Sequence, residues 1–482
     1  MKKTIIAVAT LAAASLAQAT DTTWTSQSWT PASTGQTSWE GSSADKLIFN
    51  GTSSSNKNGD EWTNAQLFIQ GTEGNSQKST ITGGTLEFIS QNPATNDANN
   101  APGVGYNAVV LGGNSSLTID VGTLLLGDSV IDQTDKKGGD RGIRLSGSNN
   151  TLTIYADRIV SYTGDEFIHV RQGNGSSVAN IGSADRRIGY FEAHTGWGKD
   201  DYGVALLQAN EGNKVFLYAD EAVLDGSTNS QGGVIGSGGW GEVHVDANKL
   251  TINGNICGSY GTMSNADKQL TLSVRAGTLD MTGDINVGNE AKGNSNFDRN
   301  TTVEIEADVL NLKGDIKVDN NKRTGSKAEG DNISAVNLTV NKTANIIGTI
   351  IASQTDGTST VTLGGAGDAT ASSGKYEVTG DGSSIVFKDS GSWVINEWKG
   401  TDGNLTASDS VKVDVNGAVQ TTSTTLNGTS TLTLNDGAKI SSKTLEGSGG
   451  TFLINTADEQ IINIGDYKNT DAQAVLSGSQ ND

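Results

Sequence analysis

Short segments that alternate apolar and polar residues recur along the chain, and this recurrence constrains the fold more than any other feature. The copies are Leu117-Thr118-Ile119, Leu152-Thr153-Ile154, Phe216-Leu217, Val243-His244-Val245, Leu272-Ser273-Val274 and Val303-Glu304-Ile305. They continue with Val336-Asn337-Leu338, Val361-Thr362-Leu363, Ile385-Val386-Phe387, Val411-Lys412-Val413, Leu432-Thr433-Leu434 and Phe452-Leu453-Ile454. Alternation of this kind is the side-chain period of a β-strand. Taking the last apolar residue of each copy as a marker, the steps from Leu217 are 28, 29, 31 and 33 residues, reaching Leu338. They then shorten to 25, 24, 26, 21 and 20, ending at Ile454. The 63 residues between Ile154 and Leu217 leave room for one more turn near Val178 to Ile181, where the pattern is poor.

Four copies share finer detail. Leu250-Thr251-Ile252-Asn253-Gly254-Asn255-Ile256 aligns with Leu279-Asp280-Met281-Thr282-Gly283-Asp284-Ile285 and with Leu310-Asn311-Leu312-Lys313-Gly314-Asp315-Ile316. Ala344-Asn345-Ile346-Ile347-Gly348-Thr349-Ile350 is a weaker copy. Leu310 and Leu312 point one way and Asn311 and Lys313 the other. Gly314-Asp315 turns the chain, since Gly accepts positive φ and Asp bonds its own backbone. Ile316 and Val318 then begin the next inward face.

One such unit cannot bury its apolar face alone. Ordering a residue costs about 1–2 kcal/mol, and an inward Leu or Ile returns about 1.5–3 kcal/mol only when fully buried. Stacking the units closes the core and pairs every strand with those above and below. The expectation is an all-β chain, a right-handed parallel β-helix (β-solenoid) of about 12 coils, on the order of 60 Å long at the strand spacing of a sheet. A β-sandwich array is the rival. Composition alone also allows disorder, because only 34% of the residues are hydrophobic and Gly numbers 63. The twelve recurrences argue against it, and the presence of only 3 Pro suits uninterrupted ladders.

The termini and the spacing divide the chain. Residues 1–19 have a basic start at Lys2-Lys3, an apolar stretch from Ile5 to Leu16 and an Ala17-Gln18-Ala19 cleavage site, which together make a secretory signal peptide. The mature chain would begin at Thr20, and its formal charge would move from −21 to −23 as Lys2 and Lys3 leave. Residues 20–62 hold Trp24, Trp29, Trp39 and Trp62, half of the eight Trp. They are read as an N-terminal cap over the open end of the solenoid, the functional alternative being a carbohydrate platform. Residues 47–340 form irregular long coils, the first overlapping the cap, with insertions at 186–202, 288–300 and 319–332. Residues 341–465 form tighter coils, and 466–482 a polar tail.

Candidate chemistry is mostly negative. An acidic balance argues against nucleic acid, whose binding rests on Lys and Arg. One Cys excludes a disulfide framework, and no apolar run in the mature chain is long enough to span a membrane as a helix. His169, His194 and His244 lie in different units without metal-ligand spacing, and His244 reads as an outward, solvated residue. Cys257 reads as a packed small residue at a turn. Asp200-Asp201, with Trp197 and His194 nearby, is the one Asp-Asp pair. It would matter if two carboxylates shared a face as acid and base, but it reads as a solvated loop. Its surroundings lack the Gly-His-Gly and Arg-x-Lys partners of pectinase-type sites. Gly364-Gly365-Ala366-Gly367-Asp368 is half of a calcium nonapeptide and occurs once. No catalytic, cofactor-binding or metal residue is assigned.

Two C-terminal segments carry a family resemblance. Gly428-Thr429-Ser430-Thr431-Leu432-Thr433-Leu434-Asn435-Asp436-Gly437-Ala438 resembles the passenger-associated strand repeat of bacterial autotransporters. Leu445-Glu446-Gly447-Ser448-Gly449-Gly450-Thr451-Phe452-Leu453-Ile454-Asn455-Thr456 is similar to the pertactin-like module of the same type V secreted proteins. With the signal peptide, the single Cys and the Gly/Thr/Ser/Asn-rich repeats, the whole mature chain resembles a passenger region. The resemblance implies display on, or release from, the outer membrane of a Gram-negative bacterium. It also implies adhesion or aggregation through host or neighbouring-cell glycans or proteins, or through self-association. The family's translocating barrel has no room after Ser479-Gln480-Asn481-Asp482, so the barrel is expected to be separate or missing. The functional expectation is a non-enzymatic adhesin or structural display rod. The alternatives are a β-helix polysaccharide lyase or hydrolase and a surface-layer protein.

Overall fold

The structure is a computed structural model. It describes residues 21–24, 38–50, 67–71, 76–89, 107–127, 141–163, 166–171, 175–195, 205–226, 233–236, 241–258, 269–288, 300–320, 333–354, 357–455, 462–467 and 473–477. The signal-peptide reading, Trp29, Trp62, the Asp200-Asp201 loop and most of the insertions fall outside these residues. So does most of the 466–482 tail.

The described residues are all-β, with no helix among them. Each strand pairs in parallel with its counterpart one coil away. Lys214–Asp225, Glu242–Asn253, Gln269–Thr282, Asn300–Lys313 and Ile333–Ile347 lie side by side in this order. Within Glu242–Asn253 the inward residues are Val243, Val245 and Ala247, then Leu250 and Ile252, all buried. Alternation breaks at Asn248-Lys249, where both side chains are exposed. The long strand therefore bends into two arms, and Asn255–Gly258 supplies a third in a separate 12-stranded parallel sheet. Each coil has three arms around a shared interior. These long in-register parallel sheets are consistent with a β-solenoid.

The corner between the second and third arms explains the repeated Gly-Asx. At Gly283 φ is +139°, and a Cβ there would lie 2.2 Å from the carbonyl oxygen of Gly254 one coil away. A Cβ on Gly314 would lie 2.0 Å from the Gly283 oxygen, and one on Gly348 2.0 Å from the Gly314 oxygen. The glycines are fixed by close backbone approach between coils as well as by turn geometry. The following Asx residue does not bond its own backbone, contrary to expectation. The Asn255 Oδ1 accepts the Asp284 N–H at 2.8 Å, the Asp284 Oδ1 that of Asp315 at 2.9 Å, and the Asp315 Oδ1 that of Thr349 at 2.9 Å. The ladder thus joins neighbouring coils. Lys317 Nζ lies 2.8 Å from Asp284 and 3.3 Å from Asp315, which offsets the stacked carboxylates.

Two register findings refine the sequence reading. The poor segment Val178–Ile181 is a strand seated between Thr151–Thr163 and Lys214–Asp225, with Ile154, Ile181 and Leu217 in one column. The 26-residue step from Phe387 to Val413, in contrast, joins different arms. Phe387 pairs with Ala407 in the first arm, while Val413 pairs with Trp393 in the second. Period-two alternation marks a strand but not the side of the coil that it occupies, so a marker can jump arms unnoticed.

The interior is a run of stacked aliphatic columns such as Leu217, Val245, Val274, Ile305, Leu338 and Leu363, all buried. Near the start, the partly buried Trp39 packs against the core beside Gly41 and Gly83.

Candidate functional site

The outward face of the second arm gathers the most chemistry among the described residues. Because strands are parallel and in register, outward residues form columns along the stack. One column runs Tyr162, His194, Asp225, Asn253, Thr282, Lys313 and Ile347. Its neighbour, two residues earlier on each strand, runs Val160, Glu192, Val223, Thr251, Asp280, Asn311 and Asn345.

His194 is held on both ring nitrogens at the upstream end. Nε2 lies 2.7 Å from Glu192 Oε1 and Nδ1 3.2 Å from Asp225 Oδ2. The imidazole stacks on Tyr162, with centroids 4.8 Å apart and planes within 5°. Burial disfavours its charged form, but the two carboxylates outweigh burial and raise its pKa above the ordinary value. Glu192 is shifted the other way. Burial works against ionisation, and the bonds from His194 and from the Tyr190 hydroxyl at 3.0 Å prevail and lower its pKa. Arg158 lies over the Tyr190 ring, 4.8 Å from its centroid, and 3.9 Å from Glu192. Burial, reinforced by the Glu192 charge, raises the Tyr162 phenol.

Downstream the same two columns line a groove of about 310 Å³, at the lower end of the size range of small-molecule sites. Asn311 Nδ2 donates to Asp280 Oδ1 at 2.8 Å. The outward residues of the groove are those of the four aligned repeat copies, from Thr251 and Asn253 to Asn345 and Ile347. Reading the copies as columns rather than rows would have found them. Glu192, Asp225 and Tyr162 belong to copies whose alignment is poor, so they left little signal.

The other sequence candidates are placed as follows. His194 is not grouped with His169 or His244. His169 is buried in Ile168–Val170, its Nδ1 3.0 Å from Glu166 and its Nε2 3.0 Å from Asn210. His244 faces outward but is half-buried, stacked on Phe216 at 4.9 Å and 3.3 Å from Glu242. Cys257 is buried within the strand Asn255–Gly258 rather than at a turn, because the turn ends three residues earlier at Gly254. Asp368 bridges Thr343 and Ser392, and its Oδ1 accepts from the Thr370 N–H at 2.9 Å and from the Thr370 hydroxyl. These bonds lower its pKa. Asp200 and Asp201 lie outside the described residues.

Arg186 and Arg187 secure the loop between Val178–Ile181 and Ile188–Thr195. Arg186 forks onto Asp120 and lies over Tyr155. Arg187 donates to the carbonyls of Ala219 and Asp246 and to the Asp246 carboxylate. Among the described residues, no helix is long and apolar enough to cross a membrane.

No protein-family model, curated protein or solved structure matches the chain.

Proposed function

We propose that the chain is an exported, non-enzymatic β-solenoid of the autotransporter-passenger kind, acting as an adhesin-type display rod. In this reading it winds as a right-handed parallel β-helix of about 12 coils, its Trp-rich start caps the open end, and its partners are glycans or proteins on neighbouring surfaces. One observation supports it most. The scaffold is held by coil-to-coil ladders, and the histidine of its most charged outward cluster has both ring nitrogens bonded to carboxylates. An imidazole held this way is a structural clamp rather than an available general base. Among the described residues, the outward surface that is left offers contacts rather than a reacting constellation.

The test is expression with the native start in a Gram-negative host. N-terminal sequencing of the product should give Thr20, external protease should remove the protein from intact cells, and beads coated with it should adhere to cells. A product that keeps Met1 and stays protected from external protease would overturn export. Depolymerisation of a glycan, abolished by Asp200→Asn, would replace the reading with an enzyme.

A further inference from the structure

We infer that the groove between the two outward columns of the second arm binds an uncharged, extended oligosaccharide running along the coil axis; this rests on the adhesin reading and names a ligand class for it. Three observations converge. First, the groove presents unspent hydrogen-bonding capacity. The side chains of Thr251, Asn253, Thr282 and Asn345 have no polar partner among the described residues, although all four line it. Amides and hydroxyls are the groups that meet sugar hydroxyls as both donor and acceptor. They recur at the strand spacing of about 4.8 Å, a pitch comparable with that of an extended hexose chain.

Second, the groove has an apolar end. Ile347 is 54% exposed, one of two large hydrophobic side chains so exposed among the described residues. It closes the column that begins at the Tyr162–His194 stack. A pyranose ring presents an apolar C–H face, and Ile347 gives it a surface on which to rest while its hydroxyls turn toward Asn345 and Lys313.

Third, charge selects the occupant. Lys313 and Asp280 are the charged residues of the lining and cancel formally. Asp280 is already engaged by Asn311. At the upstream end Asp225 and Glu192 are turned to His194. The chain as a whole carries −21, which repels a polyanion. Within this neutral groove Lys313 has no ion pair among the described residues, so its ammonium is available to donate to ring or glycosidic oxygens.

The experiment titrates the full chain with hexamers of β-1,4-linked glucose, β-1,4-linked N-acetylglucosamine and α-1,4-linked glucose, and with hexagalacturonate as the acidic probe. At least one neutral hexamer should bind. The affinity should fall about tenfold or more in the Asn253→Ala/Asn345→Ala double variant and about two- to tenfold in Lys313→Gln, by the worth of the hydrogen bonds removed. Thr433→Ala, outward on a distant coil, should leave it unchanged. Raising salt should change neutral binding less than about twofold. The outcomes that overturn the proposal are binding to no neutral hexamer, equal binding by wild type and folded groove variants, or preference for hexagalacturonate. Circular dichroism identifies variants that fold. If coated beads adhere to cells but no neutral hexamer binds, the groove proposal fails and the adhesin reading stands. If hexamers bind and beads do not adhere, the adhesin reading fails and the groove stands.

Discussion

Coils within residues 205–354 and coils within residues 357–455 use the same three arms but fuse them differently. Upstream, the first and second arms make one bent strand, as in Asn300–Lys313, and the third arm is separate, as in Ile316–Asn320. Downstream, the second arm stands alone in a five-stranded sheet, and from residue 418 the third arm runs into the next first arm, as in Ala418–Asn427 and Lys439–Ser448, whereas before it the two stay separate, as in Glu397–Lys399 and Asn404–Ala407. The corner residues differ as well. Upstream the constrained corner is Gly254, Gly283 and Gly314, between arms two and three. Downstream, left-handed residues fall between arms one and two as well as at Gly374 and Gly437, between arms two and three, and at Gly380 and Gly400, between arms three and one. Between arms one and two, Asp389 (φ 68°), Asp409 (φ 61°) and Gly428 (φ 65°) supply one per coil, and the first two are not glycines. The two regions therefore distribute their positive-φ residues differently over the corners. Repeat length differs too. In the sequence, residues 259–268, 289–299 and 321–332 separate the third arm of one coil from the first arm of the next, and the steps there are the longer ones.

The two regions also fill their interiors differently, which gives the largest expected effect. Upstream columns are aliphatic, whereas Tyr376, Phe387, Trp393 and Trp398 cluster in the first downstream coils. Trp393→Ala should cost about 3–5 kcal/mol, read from urea unfolding of the full chain. A cost below about 1 kcal/mol would mean that the aromatic cluster does not carry the junction between the regions. Next come the corners. Gly314→Ala should cost about 1–3 kcal/mol through backbone displacement. Gly437→Ala, where nothing lies within 4 Å of a Cβ, should cost only the backbone penalty of positive φ, about 1 kcal/mol. Equal costs would break the assignment of the upstream glycines to close approach. A smaller effect is expected at the downstream Asn ladder. Asn416 donates to Asn396 and accepts from Asn435, both at 2.8 Å. Asn416→Ala should cost about 1 kcal/mol in the same unfolding assay.

Protonation tests the His194 cluster. His194 has a raised pKa in the fold, so its contribution is fully present below its unfolded pKa, about 6.5, and is lost as pH rises through the folded value. Glu192 has a lowered pKa, so its contribution is present above about 4.3 and is lost as pH falls through its folded value. Unfolding midpoints should decline from pH 6 to pH 9, and His194→Gln should flatten that decline. A parallel decline in the variant would remove the clamp from the explanation. The smallest effect is expected for Arg186→Ala. The Arg186–Asp120 pair is largely exposed, and thermal unfolding should register less than about 1 kcal/mol.

The strands were legible because alternation is written into every arm. Leu310, Leu312, Ile316 and Val318 are buried as their spacing required. Arm identity was not legible, as the jump from Phe387 to Val413 shows, because all three arms share one period. The inter-coil role of Asp284 and Asp315 was hidden for a related reason. A Gly-Asp pair reads locally as a turn, and its partner lies 31 residues away. The groove stood in the aligned repeat copies, but its meaning needed the register that sets Asn253, Thr282, Lys313 and Ile347 side by side. The clamp on His194 joins Glu192 of its own strand to Asp225 of the next coil, 31 residues away, which only parallel stacking brings alongside.

The glycine column has a consequence for how such a gene changes length. Each corner glycine sits against the backbone of its predecessor, so neighbouring coils must keep a common phase. Losing a single residue within an arm would move the next corner out of line and turn the inward set outward. Removing one whole repeat, from one corner glycine to the next, would bring equivalent surfaces together again. Insertions and deletions within an arm are therefore tolerated as complete units, whereas a bend between arms takes up a single residue, as between Ala307 and Val309.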